Sequence, residues 1–358
     1  MINLRYERWL GGPAPACAAM SSMLLGIMPA AAETMDDLYA KAKPEKSVVF
    51  YSGGPVAPYE GFARDFEQRF PDVKVSITGG FSNVLNQRIN AQLAARKLEV
   101  DMAFFQTAQD FVAWKRQGVL MNFKPEGFDQ IAPLPVFRDP DGAFITTKVN
   151  AIGYAYNTNA VAADEVPRSA LDFLKLKFAG KLITCYPADD DATLYQFHTI
   201  VQKYDQQFMD AYMANKPNFV QGHLEVARSV GAGTNIVTFD STATALDLKR
   251  HGQPIEFVLS AEDPTPIFTL TAGIFKDAPH PNAAKLFLTW YMATEQQSRT
   301  GVFSARTDVP PPAGFNPLFS YTLANNYLEF VTNAALLAAL RQRFEGYTGP
   351  VVNKGGVR

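Results

Sequence analysis

The sequence predicts an α/β protein of two lobes, each a mainly parallel sheet flanked by helices. Three observations carry that prediction. Short β-rich runs alternate with segments of helical spacing, the order that produces parallel sheets covered by helices. The run Val100-Asp101-Met102-Ala103-Phe104-Phe105 is almost wholly apolar, as in a strand buried on both faces. The chain of 358 residues, less a leader of 32, exceeds the size at which a single core stops growing.

The leader is residues 1–32. Arg5 and Arg8 precede an apolar run from Ala16 to Met28, and Ala30-Ala31-Ala32 supplies small residues before Glu33. This is the layout of a secretory signal peptide, so the fold is read from Glu33 onward and an exported, periplasmic protein is expected. The apolar run is short for a membrane span, and no later segment approaches 18 uncharged apolar residues. The formal charge of −2 becomes −3 when Arg5, Glu7 and Arg8 are removed, so nothing attracts nucleic acid or an anionic membrane. Cys17 leaves with the leader; Cys185 then stands alone and no intramolecular disulfide can form.

After the leader, Lys46 to Ser52 reads as a strand stopped by Gly53-Gly54-Pro55. A helix follows from Tyr59 to Phe70 through Phe62 and Phe66. Pro71 to Ile77 is the next strand. Gly79-Gly80-Phe81-Ser82 leads into a helix carrying Val84, Leu85, Ile89 and Leu93, and Val100 to Phe105 is the third strand. Val149 to Tyr156 begins a second series: Lys181 to Tyr186 with a helix from about Asp191, Asn235 to Phe239 with a helix from about Ser241, then Ile255 to Leu259. Proline at position 281 opens another helix, with Ala284, Phe287, Leu288 and Tyr291 on one face. Pro310-Pro311-Pro312 marks a crossing, and Asn333 to Phe344 is a terminal helix.

From Val48 to Gly301 the chain resembles the periplasmic solute-binding proteins of ABC importers, in the group containing ferric-ion, phosphonate and sugar-phosphate receptors. The resemblance rests on Tyr51-Ser52 ending the first strand, the run from Phe62 to Pro71, Gly118-Val119-Leu120 and Tyr156-Asn157. Phe178-Ala179-Gly180-Lys181-Leu182 and the segment from Ala278 to Tyr291 complete it. It implies the type II periplasmic-binding-protein-like fold, with hinge closure on a ligand in the cleft between the lobes. It also implies boundaries: residues 33–149 plus 268–305 in lobe 1, and 150–267 plus 306–358 in lobe 2. A membrane permease is the implied partner, and a monomer the implied state.

In open α/β sheets ligands bind beyond the carboxyl ends of strands, where helix N-termini present free N–H groups. On that ground the ligand-binding candidates are Ser52, Gly53, Gly80, Phe81, Ser82, Gln106 and Thr107 in lobe 1. In lobe 2 they are Asp189, Asp191, Thr193, Asp240, Ser241 and Thr242, with Tyr154 on the crossing strand. Plain N-capping by Ser82, Asp191, Asp240 and Ser241 is the competing role. The ferric members of the resembled group hold iron with a tyrosine pair where this chain reads Phe239-Asp240-Ser241. His198, His223, His251 and His280 are dispersed without ligand spacing, so no metal site and no cofactor are expected.

Asp189-Asp190-Asp191 repels an anion, which places any anionic ligand group against Gly79 to Ser82 instead. The expected cargo is a small organic solute: an organic acid, aromatic ones included, a phosphonate, or a phosphorylated polyol. A metal receptor of the same fold and a periplasmic hydrolase are the alternatives. The hydrolase lacks sequence support, with no Gly-x-Ser-x-Gly, no His-Glu-x-x-His and no phosphate-cradling loop.

Overall fold

The computed structural model describes residues 33–352, so the expected leader lies outside the described residues. The described chain opens on a capping box: the Thr34 hydroxyl accepts from the Asp37 N–H while the Asp37 carboxylate accepts from Thr34, which starts α1 (Met35–Ala42). There follow β1 (Ser47–Gly53), α2 (Ala57–Arg69), β2 (Lys74–Gly80), α3 (Ser82–Ala94), β3 (Met102–Phe105) and α4 (Ala108–Arg116). Next come β4 (Ile145–Ala151), β5 (Gly153–Asn157), β6 (Ile183–Cys185), α5 (Asp191–Tyr204), α6 (Gln207–Ala214) and β7 (Asn218–Val220). The chain continues through α7 (His223–Gly231), β8 (Val237–Ser241), α8 (Thr244–Arg250), β9 (Ile255–Val258) and β10 (Thr265–Ile274). It ends with α9 (Pro281–Met292), α10 (Thr294–Ser298), β11 (Leu323–Ala324), α11 (Tyr327–Thr332) and α12 (Ala334–Thr348).

The first sheet has strand order β11-β10-β3-β1-β2, with β4 also paired to β10. The βαβαβ reading holds where it was made: β1 runs parallel to both β2 and β3. Antiparallel pairing enters with β10, which returns between β3 and β4. The second group of strands is mixed. β5 lies antiparallel between β8 and β9, while β6 and β7 are parallel, and Leu182 bridges to Val237 in the parallel sense.

The run expected as one strand from Val149 to Tyr156 is in fact two. It breaks at Ile152, so β4 belongs to the first sheet and β5 to the second group. That break carries the chain across. The return is β10, all ten of whose residues are buried.

Packing follows the predicted faces. Phe50 of β1 and Phe104 of β3 meet Phe287 at 5.2 and 6.2 Å between ring centroids, and Phe287 stacks on Tyr291. Rings at these spacings add to the gain from burying apolar area. The N–H groups that open α9 have an assigned acceptor, since Glu45 takes those of Asn282 and Ala283 at 3.2 and 2.7 Å. Among the described residues no helix is long and apolar enough to cross a membrane.

Candidate functional site

At the carboxyl edge of the first sheet, β1 and β2 stay in register through Gly53 opposite Gly80. Gly54 and Gly80 then exchange backbone hydrogen bonds of 2.8 and 3.1 Å. A side chain at position 53 would run into the Ser82 hydroxyl, so glycine lets α3 start directly over the end of β1. The Ser82 Oγ is buried and, among the described residues, has no hydrogen-bond partner. A buried hydroxyl in that state costs free energy unless something reaches it.

Ser52, also buried, lies beside the Tyr59 hydroxyl in the first turn of α2; burial pushes the Tyr59 pKa up and Ser52 offsets part of the rise. The ammonium of Lys148 on β4 sits 4.7 Å from the centre of the Tyr59 ring. Among the described residues no carboxylate pairs with Lys148, and burial pulls its pKa down to about 8. Ser82, Gly53, Ser52, Tyr59 and Lys148 thus form a continuous series along one edge.

A second group lies around the end of β8. Asp240 is fully buried, and its carboxylate accepts from the Thr184 hydroxyl (2.9 Å), the Cys185 N–H (3.0 Å) and the Thr193 hydroxyl (3.0 Å). His223, the first residue of α7, places Nδ1 3.7 Å from Asp240 and Nε2 3.5 Å from Asp190. Burial disfavours an imidazolium there. Cys185, Asp240 and Asp190 override it and hold the His223 pKa well above its ordinary value.

Asp190 shows the converse balance. Burial raises its pKa, but His223 and the N–H groups of Thr193 and Ala192 bring it down to about 2. The same ring of His223 stacks on Phe268 of β10, at 6.4 Å and 18°. Tyr327 also lies against Phe268.

Thr107 and Asp110 stand at the start of α4. The Thr107 hydroxyl donates to Asp110 at 2.5 Å, and burial raises the Asp110 pKa, with the charge of Asp191 adding to the rise. Asp191 itself pairs with Arg341 of α12.

The structure gathers some of the sequence candidates and separates others. Ser52, Gly53, Gly80 and Ser82 meet at the first-sheet edge, with Phe81 beside them and 77% exposed. Thr193 and Asp240 meet in the second group. Ser241 and Thr242 follow Asp240 and are buried, with Thr242 bonded to the Thr244 hydroxyl. Gln106 is exposed, and Asp189 is exposed and held by Gln221 at 2.9 Å.

Tyr154 does not join either group: its hydroxyl donates to Asp263, which also accepts from the Ala170 N–H, Lys203 and Tyr204. The capping roles also change. Asp190, not Asp191, caps α5 by accepting from Thr193 N–H. Ser82 is inside α3 behind Phe81, and Asp240 and Ser241 end a strand. A side-chain cap needs an extended residue just before the first turn, and those three positions are not that residue.

Sequence reasoning missed Lys148, His223, Asp190 and Cys185 as site components. Lys148 had no motif around it. His223, Cys185 and Asp240 are separated by many residues, and only the β6–β8 adjacency brings them together.

Comparison with known proteins adds family and fold. The family model for bacterial extracellular solute-binding proteins matches residues 52–298. Among solved structures, iron-bound HitA from Pseudomonas aeruginosa superposes with a TM-score of 0.69 at 16% identity, covering 83% of this chain and 99% of that one. AfuA from Actinobacillus pleuropneumoniae, with fructose-6-phosphate bound, gives 0.67 at 20% identity, covering 85% and 99%. The substrate-binding protein of an ABC transporter from Agrobacterium tumefaciens gives 0.70 at 16% identity, covering 85% and 94%. At these identities the likeness establishes the fold alone. No curated protein sequence matches the chain.

Proposed function

We propose that this chain, which belongs to the bacterial extracellular solute-binding proteins, is the periplasmic receptor of an ABC importer for a small anionic organic solute. An organic acid, a phosphonate or a phosphorylated polyol fits the reading. The receptor closes on its ligand about β4–β5 and β10, with lobe 1 formed by residues 33–149 plus 268–305 and lobe 2 by 150–267 plus 306–358. It works as a monomer that returns its cargo unchanged and hands it to a membrane permease.

One observation carries the choice of an anion: Lys148, a partly buried ammonium on a crossing strand with no carboxylate partner among the described residues. A cation in that position is destabilised until a negative group arrives, so part of its desolvation is recovered only in the bound state. The Ser82 hydroxyl at the same edge supplies a donor without a present acceptor. Phosphate and carboxylate oxygens accept from both.

The second reading is a ferric receptor, supported by the likeness to iron-bound HitA. Against it stand the residues at the end of β8, where Phe239 is core and is followed by Asp240 and Ser241, so no phenolate pair stands there.

A thermal-shift panel of dicarboxylates, phosphonates, sugar phosphates and ferric citrate, followed by calorimetry on the hits, tests the proposal. An organic anion is expected to raise the melting temperature of the purified protein by mass action, and Lys148→Met to abolish the response. Tight iron binding with tyrosinate charge-transfer colour, or a response to cationic ligands alone, would overturn it.

A further inference from the structure

We infer that Cys185, His223 and Asp240 form a binding site for a divalent ion of the borderline class, with zinc as the fitting ion. The site is separate from the anion-binding edge and does not depend on the identity of the cargo. Its three potential ligand atoms come from β6, the start of α7 and the end of β8, and no two lie more than 4.8 Å apart.

The separations fit coordination better than hydrogen bonding. Cys185 Sγ is 3.6 Å from His223 Nδ1, which is 3.7 Å from Asp240 Oδ1. The second distance is too long for an N–H···O hydrogen bond. A triangle with those sides and a third side of at most 4.8 Å has a circumradius of at most about 2.4 Å, close to zinc–sulfur and zinc–nitrogen bond lengths. An ion at its centre reaches all three atoms with side-chain adjustments of a few tenths of an ångström.

The surroundings are arranged as a metal centre requires. Asp240 is anchored mainly through Oδ2, which accepts from Thr184 Oγ1, the Cys185 N–H and Thr193 Oγ1, so Oδ1 is directed at His223. The remaining imidazole nitrogen, Nε2, is buried without a hydrogen bond among the described residues, and Asp190 Oδ1 lies 3.5 Å away. With a metal on Nδ1, the Nε2–H turns to Asp190 and gives the carboxylate–histidine–metal arrangement that fixes the tautomer.

Charge also balances. A thiolate, a carboxylate and a neutral imidazole around a divalent ion sum to zero, which is what a buried site tolerates. One thiolate and one imidazole select zinc, cobalt or copper over ferric iron, calcium or magnesium.

The test uses the purified protein without added cargo. Cobalt(II) titration is expected to give an intense near-ultraviolet thiolate-to-cobalt band, and dialysis against zinc followed by desalting should retain one equivalent. Cys185→Ser should remove the band, and His223→Gln should weaken zinc at least tenfold. Asp190→Asn should weaken zinc roughly tenfold, as for loss of an outer-shell partner. Glu225→Gln, at an exposed position on α7, should leave binding unchanged. Circular dichroism of each metal-free variant establishes that it is folded. Zinc lost on desalting, or a cobalt band that persists in folded Cys185→Ser, would overturn the inference.

Discussion

The edge of the first sheet and the group beneath the end of β8 contain similar residue types, hydroxyls and one cation each, yet they are in opposite states. Around β8 the carboxylates are met, Asp240 by three donors and Asp190 by the Thr193 N–H with His223 beside it, while His223 Nε2 lacks a hydrogen bond among the described residues. At the first-sheet edge, among the described residues, Ser82 has no partner and Lys148 has only an aromatic face. A group whose hydrogen bonds are complete contributes to the folded state, whereas one left incomplete holds free energy that a ligand releases. The second sheet group is therefore expected to govern stability and the first to govern affinity.

The largest break in this comparison comes from Asp240→Ala. It leaves two hydroxyls and an N–H without their acceptor and an imidazolium without one of its two neighbouring carboxylates, so a loss of about 3–5 kcal/mol is expected from denaturant unfolding. If the melting curve barely moves, the β8 group is not the structural one.

Lys148→Met acts in the opposite sense. Affinity for the anionic ligand should fall roughly a hundredfold, about 2.7 kcal/mol, while stability stays level or rises because an unpaired cation has been removed. Calorimetry and melting of the same variant separate the two effects.

A pH series sharpens the contrast. The folded-state pKa of Lys148 is depressed to about 8, so between about 8 and its ordinary 10.5 the unfolded chain holds a proton that the folded chain lacks. Stability from this group rises with pH across that window. Ligand affinity needs the ammonium and falls by up to about tenfold per pH unit above 8.

His223 behaves the other way in metal-free protein. Its folded pKa is raised, so its contribution is fully present below about 6.5 and is lost as pH rises through the folded value. His223→Gln should flatten that descending limb of the stability profile and leave the Lys148-dependent fall in affinity in place.

The smallest effect is assigned to the loop. Asp190→Ala removes a helix cap worth about 1 kcal/mol, with some loss of the His223 pairing added, whereas Asp191→Ala breaks a partly exposed pair with Arg341 and should cost under about 1 kcal/mol. Equal losses would mean that the cap is not at Asp190.

The site was only partly legible because its two halves are specified differently. The Gly53, Gly80 and Ser82 edge follows from local rules: a strand must end, a helix must begin, and glycine is needed where they touch. Tyr154 shows the limit of such rules. It lies on a crossing strand and its aromatic ring invited a cleft assignment, but Asp263, more than a hundred residues away, takes its hydroxyl. Which partner wins is decided by burial and distance, and neither is written in the spacing of one segment.

By itself, the sequence determined the alternation of strands and helices, the parallel β1–β2–β3 unit, the burial of α9 and the loops where strands end. Periodicity and turn chemistry act over a few residues, so a single chain states them directly. Only the tertiary structure divided the run from Ile145 to Asn157 into two strands in different sheets and moved the cap from Asp191 to Asp190. It alone brought His223 to Cys185 and Asp240 while leaving Lys148 without a counter-ion among the described residues. Those outcomes depend on which distant groups compete for the same buried carboxylate, a contest settled only when the sheets have assembled.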